Sequence, residues 1–266
     1  MELEISISNQ QKHFVLVHGA CHGAWCWYKL KPLLESAGHS VTAVDLSASG
    51  INTKSLLDIY TLEDYAEPLM ELMAAIPPDE KVVLVGHSYG GYSLALAMEN
   101  YPEKISVAVF LAALMPDIEH PPYYVREQYL ERFPRPDLDR KFSLYGSPEE
   151  PRTMMSHGPK SLSTFLYQLC STEDLELAKL LIRPSPLLKE DLSKAKKFSA
   201  ERYGSVTRAY IVCGQDKAVE ADFQLWLVEN IGVAEVRAIK DADHMAMLSK
   251  PKELCQCLLE IADKYI

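Results

Sequence analysis

Lys81-Val82-Val83-Leu84-Val85-Gly86-His87-Ser88-Tyr89-Gly90 is an apolar run that ends in a turn of the form Gly-x-Ser-x-Gly. Glycine is common, at about 7% of average residues, and serine is similar, so the bare pentapeptide arises by chance in roughly one chain in ten of this length. Its setting carries the weight. A buried-strand pattern precedes it, and Leu94, Ala95, Ala97 and Met98 follow at helical spacing. A strand-turn-helix of this kind holds its serine exposed at the carboxyl edge of a sheet, where open α/β folds bind ligands. Gly86 and Gly90 are expected to let the backbone turn sharply without a clashing Cβ.

Outward from this turn the chain alternates. Strands are predicted over His13-Phe14-Val15-Leu16-Val17-His18, Val41 to Val44, Lys81 to Val85, Ser106 to Leu111, Ala209 to Cys213 and Glu235 to Ile239. Between them lie helical patterns: Trp27 to Ala37 with Gly38 as a stop, Leu62 to Ile76 with Thr61 as cap and Asp64 in the first turn, and Phe223 to Glu229. A last amphipathic helix carries Leu254, Leu258, Leu259, Ile261 and Ala262. Alternation of this kind implies an α/β fold with a mostly parallel sheet and helices on both faces. Between about Pro116 and Asp191 the rhythm breaks into prolines, aromatics and helical stretches (Tyr123 to Phe133, Leu162 to Leu169, Leu175 to Leu181). Residues 1–115 and 192–266 are therefore expected to form one core domain, and 116–191 an inserted, mostly helical cap.

With 266 residues the chain can bury a large core without staples. Its six cysteines are scattered, with no Cys-x-x-Cys pair, and Cys255 and Cys257 face different ways on one helix, so free thiols and no metal are expected. The segment Met1-Glu2-Leu3-Glu4-Ile5 shows neither a basic leader nor a long apolar region, and a soluble, cytoplasmic protein is expected. A formal net charge of −10 argues against nucleic acid or an anionic membrane as partner. Lys194, Lys196 and Lys197 read as a solvated helix face. The expected partner is a small-molecule substrate, with a homodimer left open.

A serine hydroxyl needs a base within hydrogen-bond reach and an acid to orient that base. Among the histidines, His13, His39, His120 and His157 read as solvated or structural, His18 as shaping the loop after its strand, and His87 as packing, since the turn aims it away from the Ser88 hydroxyl. His244 lies just beyond the last strand, at the same carboxyl edge as Ser88, and is the expected base. Asp216 follows the preceding strand by a similar turn and is the expected acid, with Asp117 as competitor and Asp241 and Asp243 as solvated loop charges. The order Ser88, Asp216, His244 is that of α/β-hydrolases. An oxyanion would need N–H donors from Tyr89, after the nucleophile, and from Ala20, in the loop after the first strand. No cofactor is called for.

The stretch His18-Gly19-Ala20-Cys21-His22-Gly23-Ala24-Trp25, the serine turn, Asp243-His244-Met245, Trp27 to Glu35 and Arg202-Tyr203-Gly204-Ser205-Val206 together resemble the plant methylesterase family of α/β-hydrolases, nearly end to end. The resemblance implies that Ser88, Asp216 and His244 are the triad, that Ala20 and Tyr89 form the oxyanion hole, and that methyl esters of hormone- or alkaloid-type metabolites are substrates. The related α-hydroxynitrile lyases carry threonine and lysine where this chain has Gly19 and Met245, which implies ester hydrolysis here. A small-molecule binding protein on a hydrolase scaffold and a promiscuous lyase are the alternatives. Gly19, His22, Leu114, Tyr129, Leu138, Phe165 and Met245 are the candidate substrate contacts, Leu138 standing where salicylate-binding members carry tryptophan. Tyr123, Tyr124, Phe133, Phe142, Tyr167 and Met247 complete a candidate apolar wall, about half of which would instead pack the cap onto the sheet.

Overall fold

Six strands form one parallel sheet in the order β2-β1-β3-β4-β8-β9 in the computed structural model, which describes residues 11–265. The Met1 to Ile5 segment lies outside the described residues. The strands are β1 His13–Val17, β2 Ser40–Val44, β3 Val82–His87, β4 Ile105–Leu111, β8 Arg208–Cys213 and β9 Glu235–Ile239. The apolar runs have no polar alternation because both faces of the sheet are covered. Phe14 and Leu16 of β1, with Val83 and Val85 of β3, join one core with the helices Leu30–Ser36 and Pro251–Tyr265. Val15, Val17 and Leu84 point the other way, into a core with the helices Leu62–Ala75, Gly90–Asn100 and Ala221–Ile231.

The strand order decides where chemistry can occur. After β1 the chain moves outward to β2, then returns to place β3 on the opposite side of β1. The connections therefore diverge between β1 and β3, and the crevice beyond their carboxyl ends is the ligand site of such sheets. The loop after β1 and the turn after β3 meet there.

Between β4 and β8, which are hydrogen-bonded neighbours, the chain makes one long excursion. The expected helices are present as Tyr124–Arg132 and Thr172–Leu181, and the Leu162 to Leu169 stretch starts as a wide π turn over Leu162–Leu166. The excursion also contains something the periodicity did not announce: a small antiparallel sheet of β5 Lys141–Gly146, β6 Pro151–Ser156 and β7 Ser185–Pro186. β5 is largely exposed and β6 half-buried, and neither is a continuous apolar run of the kind that marks the central strands. Tyr145 anchors this sheet by donating to the Ile59 carbonyl at 2.6 Å. Tyr129 holds its helix down by donating to the Ala218 carbonyl at 2.7 Å.

Helix Leu62–Ala75 begins where Thr61 and Asp64 placed it. The Thr61 hydroxyl accepts from the Asp64 N–H at 3.1 Å, and the Asp64 carboxylate accepts from the Thr61 N–H at 2.9 Å. Two orphan donors of the first turn are thus satisfied reciprocally. Thr61→Ala is expected to lower unfolding free energy by about 1 kcal/mol. Denaturant titration checks this, and a loss below about 0.3 kcal/mol would show that the box contributes little.

Candidate active site

Ser88 sits at φ +54°, the left-handed region that a non-glycine residue rarely adopts. The strain falls on the serine itself, not on its flanking glycines, whose role is to clear space. A Cβ on Gly90 would lie 2.6 Å from the His18 carbonyl oxygen, and one on Gly91 only 2.0 Å from that of Leu114. The turn is held by the exit of β4: the Ser88 N–H donates to Leu111 O at 3.2 Å, and Ser88 O accepts from the Leu114 N–H at 3.0 Å. The hydroxyl is left at the carboxyl edge, half-buried.

His244 follows β9 and Asp216 follows β8, and the two loops are joined by the Gln215 N–H donating to Ala242 O at 2.9 Å. His244 Nδ1 donates to Asp216 Oδ2 at 2.7 Å, so Nε2 is free to accept from the Ser88 hydroxyl at 2.9 Å. Asp216 is buried, and its Oδ1 accepts the N–H groups of Ala218 at 2.7 Å and Val219 at 2.9 Å. A nucleophile, a base in the correct tautomer and an oriented acid are therefore in contact, a Ser-His-Asp triad. Asp117 is excluded as the acid because it faces His120, at 2.8 Å, on the surface.

Among the remaining expected site residues, Gly19, Ala20, His22, Tyr89 and Leu114 line the cavity around Ser88 and His244. Tyr129, Leu138, Phe165 and Met245 do not. Tyr129 packs its helix onto the sheet, Leu138 is exposed, and Met245 is fully buried in the core. Phe165 lies beneath two arginine side chains. The cavity wall is made by Leu114, Met155 and Leu166 together with Arg126, Arg135, Arg140 and His157, not by the aromatics. Gly19 is a packing requirement, since a Cβ there would lie 2.8 Å from Ser88 Cβ.

Two expectations need correction. Asp243 is fully buried, not solvated: it accepts from the Leu169 N–H at 2.8 Å, the Met245 N–H at 3.1 Å and the Ser249 hydroxyl at 2.7 Å. It fastens the His244 loop to the excursion. His157 lines the cavity, and burial takes its pKa down to about 3.

Sequence reasoning missed Gln224, which is completely buried in helix Ala221–Ile231. Its amide donates to Asp216 Oδ2 at 3.1 Å and to Val219 O at 2.6 Å, and its oxygen accepts from the Cys213 N–H at 3.0 Å. The one available signal was a polar residue beside Phe223 on an apolar helix face. His87, expected to pack, does more: its Nε2 donates to the His244 carbonyl at 2.8 Å, bracing the base from behind.

Residues 14–256 match the profile of the alpha/beta hydrolase family. The chain belongs to that family. Within it, norfluorocurarine synthase 1 of Strychnos nux-vomica is 65% identical over 261 residues, 97% of this chain and 98% of that protein. Salicylic acid-binding protein 2 of Nicotiana tabacum is 62% identical, over 96% of this chain and 98% of that one. The crystal structure of polyneuridine aldehyde esterase, an enzyme of Rauvolfia serpentina, superposes with a TM-score of 0.94 at 63% identity, covering 96% of this chain and 100% of that one. These relatives place this alpha/beta hydrolase among the plant methylesterases, as a carboxylic ester hydrolase.

Gln224→Leu is expected to lower kcat roughly tenfold or more with little change in KM, because it removes a hydrogen bond to a charged group worth about 1.5–3 kcal/mol. An unchanged kcat would mean that the Ala218 and Val219 amides orient Asp216 without it.

His18, His22 and His87 are buried and held neutral: burial lowers all three, His22 to about 4. His22 is fixed between the Ala20 carbonyl and the Tyr167 hydroxyl, at 2.8 and 2.7 Å. Unfolded, each would protonate near 6.5. The unfolded chain then binds more protons, so stability is complete above that pH and declines as pH falls below it. The decline is up to about 1.4 kcal/mol per pH unit for each histidine. Unfolding curves from about pH 7 down to about pH 5, above the range where ordinary carboxylates titrate, should show this loss. A flat profile would contradict it.

Proposed function

We propose that the protein hydrolyses methyl esters of small plant metabolites, of the hormone or alkaloid type, through an acyl-enzyme on Ser88. The observation that carries this reading is the continuous hydrogen-bonded chain Asp216–His244–Ser88 opening into a cavity beside Ala20 and Tyr89. Ser88 Oγ attacks the ester carbonyl while His244 Nε2 takes its proton; His244⁺ then protonates the departing methanol. Water, deprotonated by His244, attacks the acyl carbon, and the proton returns to Ser88 as the acid leaves. The Ala20 and Tyr89 N–H groups would receive the oxyanion. Among the described residues neither donates to a protein acceptor, and both border the cavity. Each such donor is worth about 3 kcal/mol in the transition state.

The substrate class is supported by the relatives' names, which speak of a polyneuridine aldehyde esterase and a salicylic acid-binding protein. Lyase chemistry is disfavoured by Met245, an apolar side chain buried away from the cavity, and by Gly19, where threonine would crowd Ser88. In this reading residues 116–191 form a cap over the site, and the six unpaired cysteines suit the reducing cytosol.

Purified protein should release methanol from at least one member of a panel of plant methyl esters. Ser88→Ala should reduce that turnover by at least about a thousandfold. No methanol from any ester, or full activity in the variant, would overturn the assignment.

A further inference from the structure

Three arginines line the cavity that holds Ser88 and His244: Arg126, Arg135 and Arg140. This is a concentration of positive charge in a chain whose formal net charge is −10. Aromatic rings hold the guanidinium groups in place. The Arg135 guanidinium carbon lies 4.8 Å from the Phe165 ring centre and 5.6 Å from that of Tyr129. That of Arg140 lies 5.8 Å from Phe165 and 5.7 Å from Phe142, and that of Arg126 lies 5.1 Å from Tyr129. A guanidinium resting on a ring keeps its N–H edge free for a planar anion.

Their compensation is thin. Among the described residues, the one carboxylate within ion-pair distance of any of the three is Asp137, at 2.8 Å from Arg140, on a side chain that is 61% exposed. Arg135 donates to the Lys217 carbonyl at 2.7 Å, a neutral partner. Among the described residues no carboxylate borders the cavity, and the nearby His22 and His157 are kept uncharged by burial. Arg140, whose side chain is only 5% exposed, is penalised first by burial and then by the like charge of Arg135. An anion entering the cavity would relieve that repulsion, in a partly dehydrated setting where charge pairing is stronger than in water.

We infer that Arg126, Arg135 and Arg140 form an anion-binding subsite of the active site, and that the preferred substrate is an ester carrying a second, ionised carboxylate. This rests on the esterase reading above. Such a half-ester would seat its ester carbonyl at Ser88 and its free carboxylate on the guanidinium groups. A neutral ester of the same length forgoes that pairing, and an ester bearing a protonated amine is repelled. The charge on the acyl group thus separates acidic metabolite esters from basic alkaloid esters.

Binding can be read without turnover, by calorimetric titration of Ser88→Ala protein. The probes are the monomethyl esters of linear dicarboxylic acids from succinate through suberate, the matching dimethyl esters, and ω-amino acid methyl esters of similar length. At the best-fitting length the half-ester should bind at least about tenfold more tightly than the diester, and the ammonium ester most weakly. Adding Arg135→Gln and Arg140→Gln should bring the half-ester to diester ratio to about one, while Arg135→Lys with Arg140→Lys should retain part of the preference and so separate loss of charge from loss of packing. Because the pairing is ionic, the preference should also shrink with added salt. No measurable half-ester binding, a diester or ammonium ester binding as tightly at every length, or a ratio untouched by the glutamine pair overturns the inference. The esterase reading is scored separately, by methanol release from the plant methyl ester panel with Ser88 intact: if no ester of that panel or of this series is cleaved, that reading fails while the binding comparison still decides the subsite.

Discussion

Everything at the active site depends on the backbone crowding around Ser88. Three chain segments, the exit of β1, the start of helix Gly90–Asn100 and the exit of β4, come so close that Gly90 and Gly91 have no room for a side chain. Packing at that density lets the fold hold Ser88 in a left-handed conformation that costs about 1–3 kcal/mol and would relax in a looser setting. The strain has a use, because it lifts the hydroxyl out of the sheet edge toward His244.

The base and acid depend on a second close approach. Gly214 passes the Lys240 backbone so tightly that a Cβ would lie 2.4 Å from its carbonyl oxygen, and this brings the loops after β8 and β9 together. Around the joined loops, buried polar groups fix the acid and the base: Gln224 and two backbone amides on Asp216, His87 on the His244 carbonyl, and Asp243 beneath the His244 loop. Each of these groups is itself desolvated, so leaving any one unpaired is costly. The same burial that orders the site keeps its neighbouring histidines neutral and ties stability to pH.

Much of this architecture was legible in the chain. Glu235–Ile239 is the strand that its pattern predicted, Thr61 and Asp64 cap the helix they promised, and the Ser88 turn occupies the expected strand-turn-helix. These features are written in local periodicity and turn chemistry, which nearest neighbours along the chain determine. The small β5-β6-β7 sheet was not legible, because β5 and β6 are not the continuous apolar runs that mark buried strands and β7 is only two residues long. Nor was the burial of Asp243, since an acidic residue in a loop reads as solvated until the amides that surround it are known.

The sequence by itself determined the α/β alternation, the nucleophile and the order Ser88, Asp216, His244, because strands of a parallel sheet end at one edge and deliver their following loops there. Only the tertiary structure decided what surrounds that triad. Gln224 on Asp216, His87 behind His244 and the three arginines at the cavity wall come from separate stretches of chain, and no local pattern assigns them these contacts. Their proximity follows from how the excursion between β4 and β8 packs back over the sheet, a long-range contact that no short-range pattern encodes.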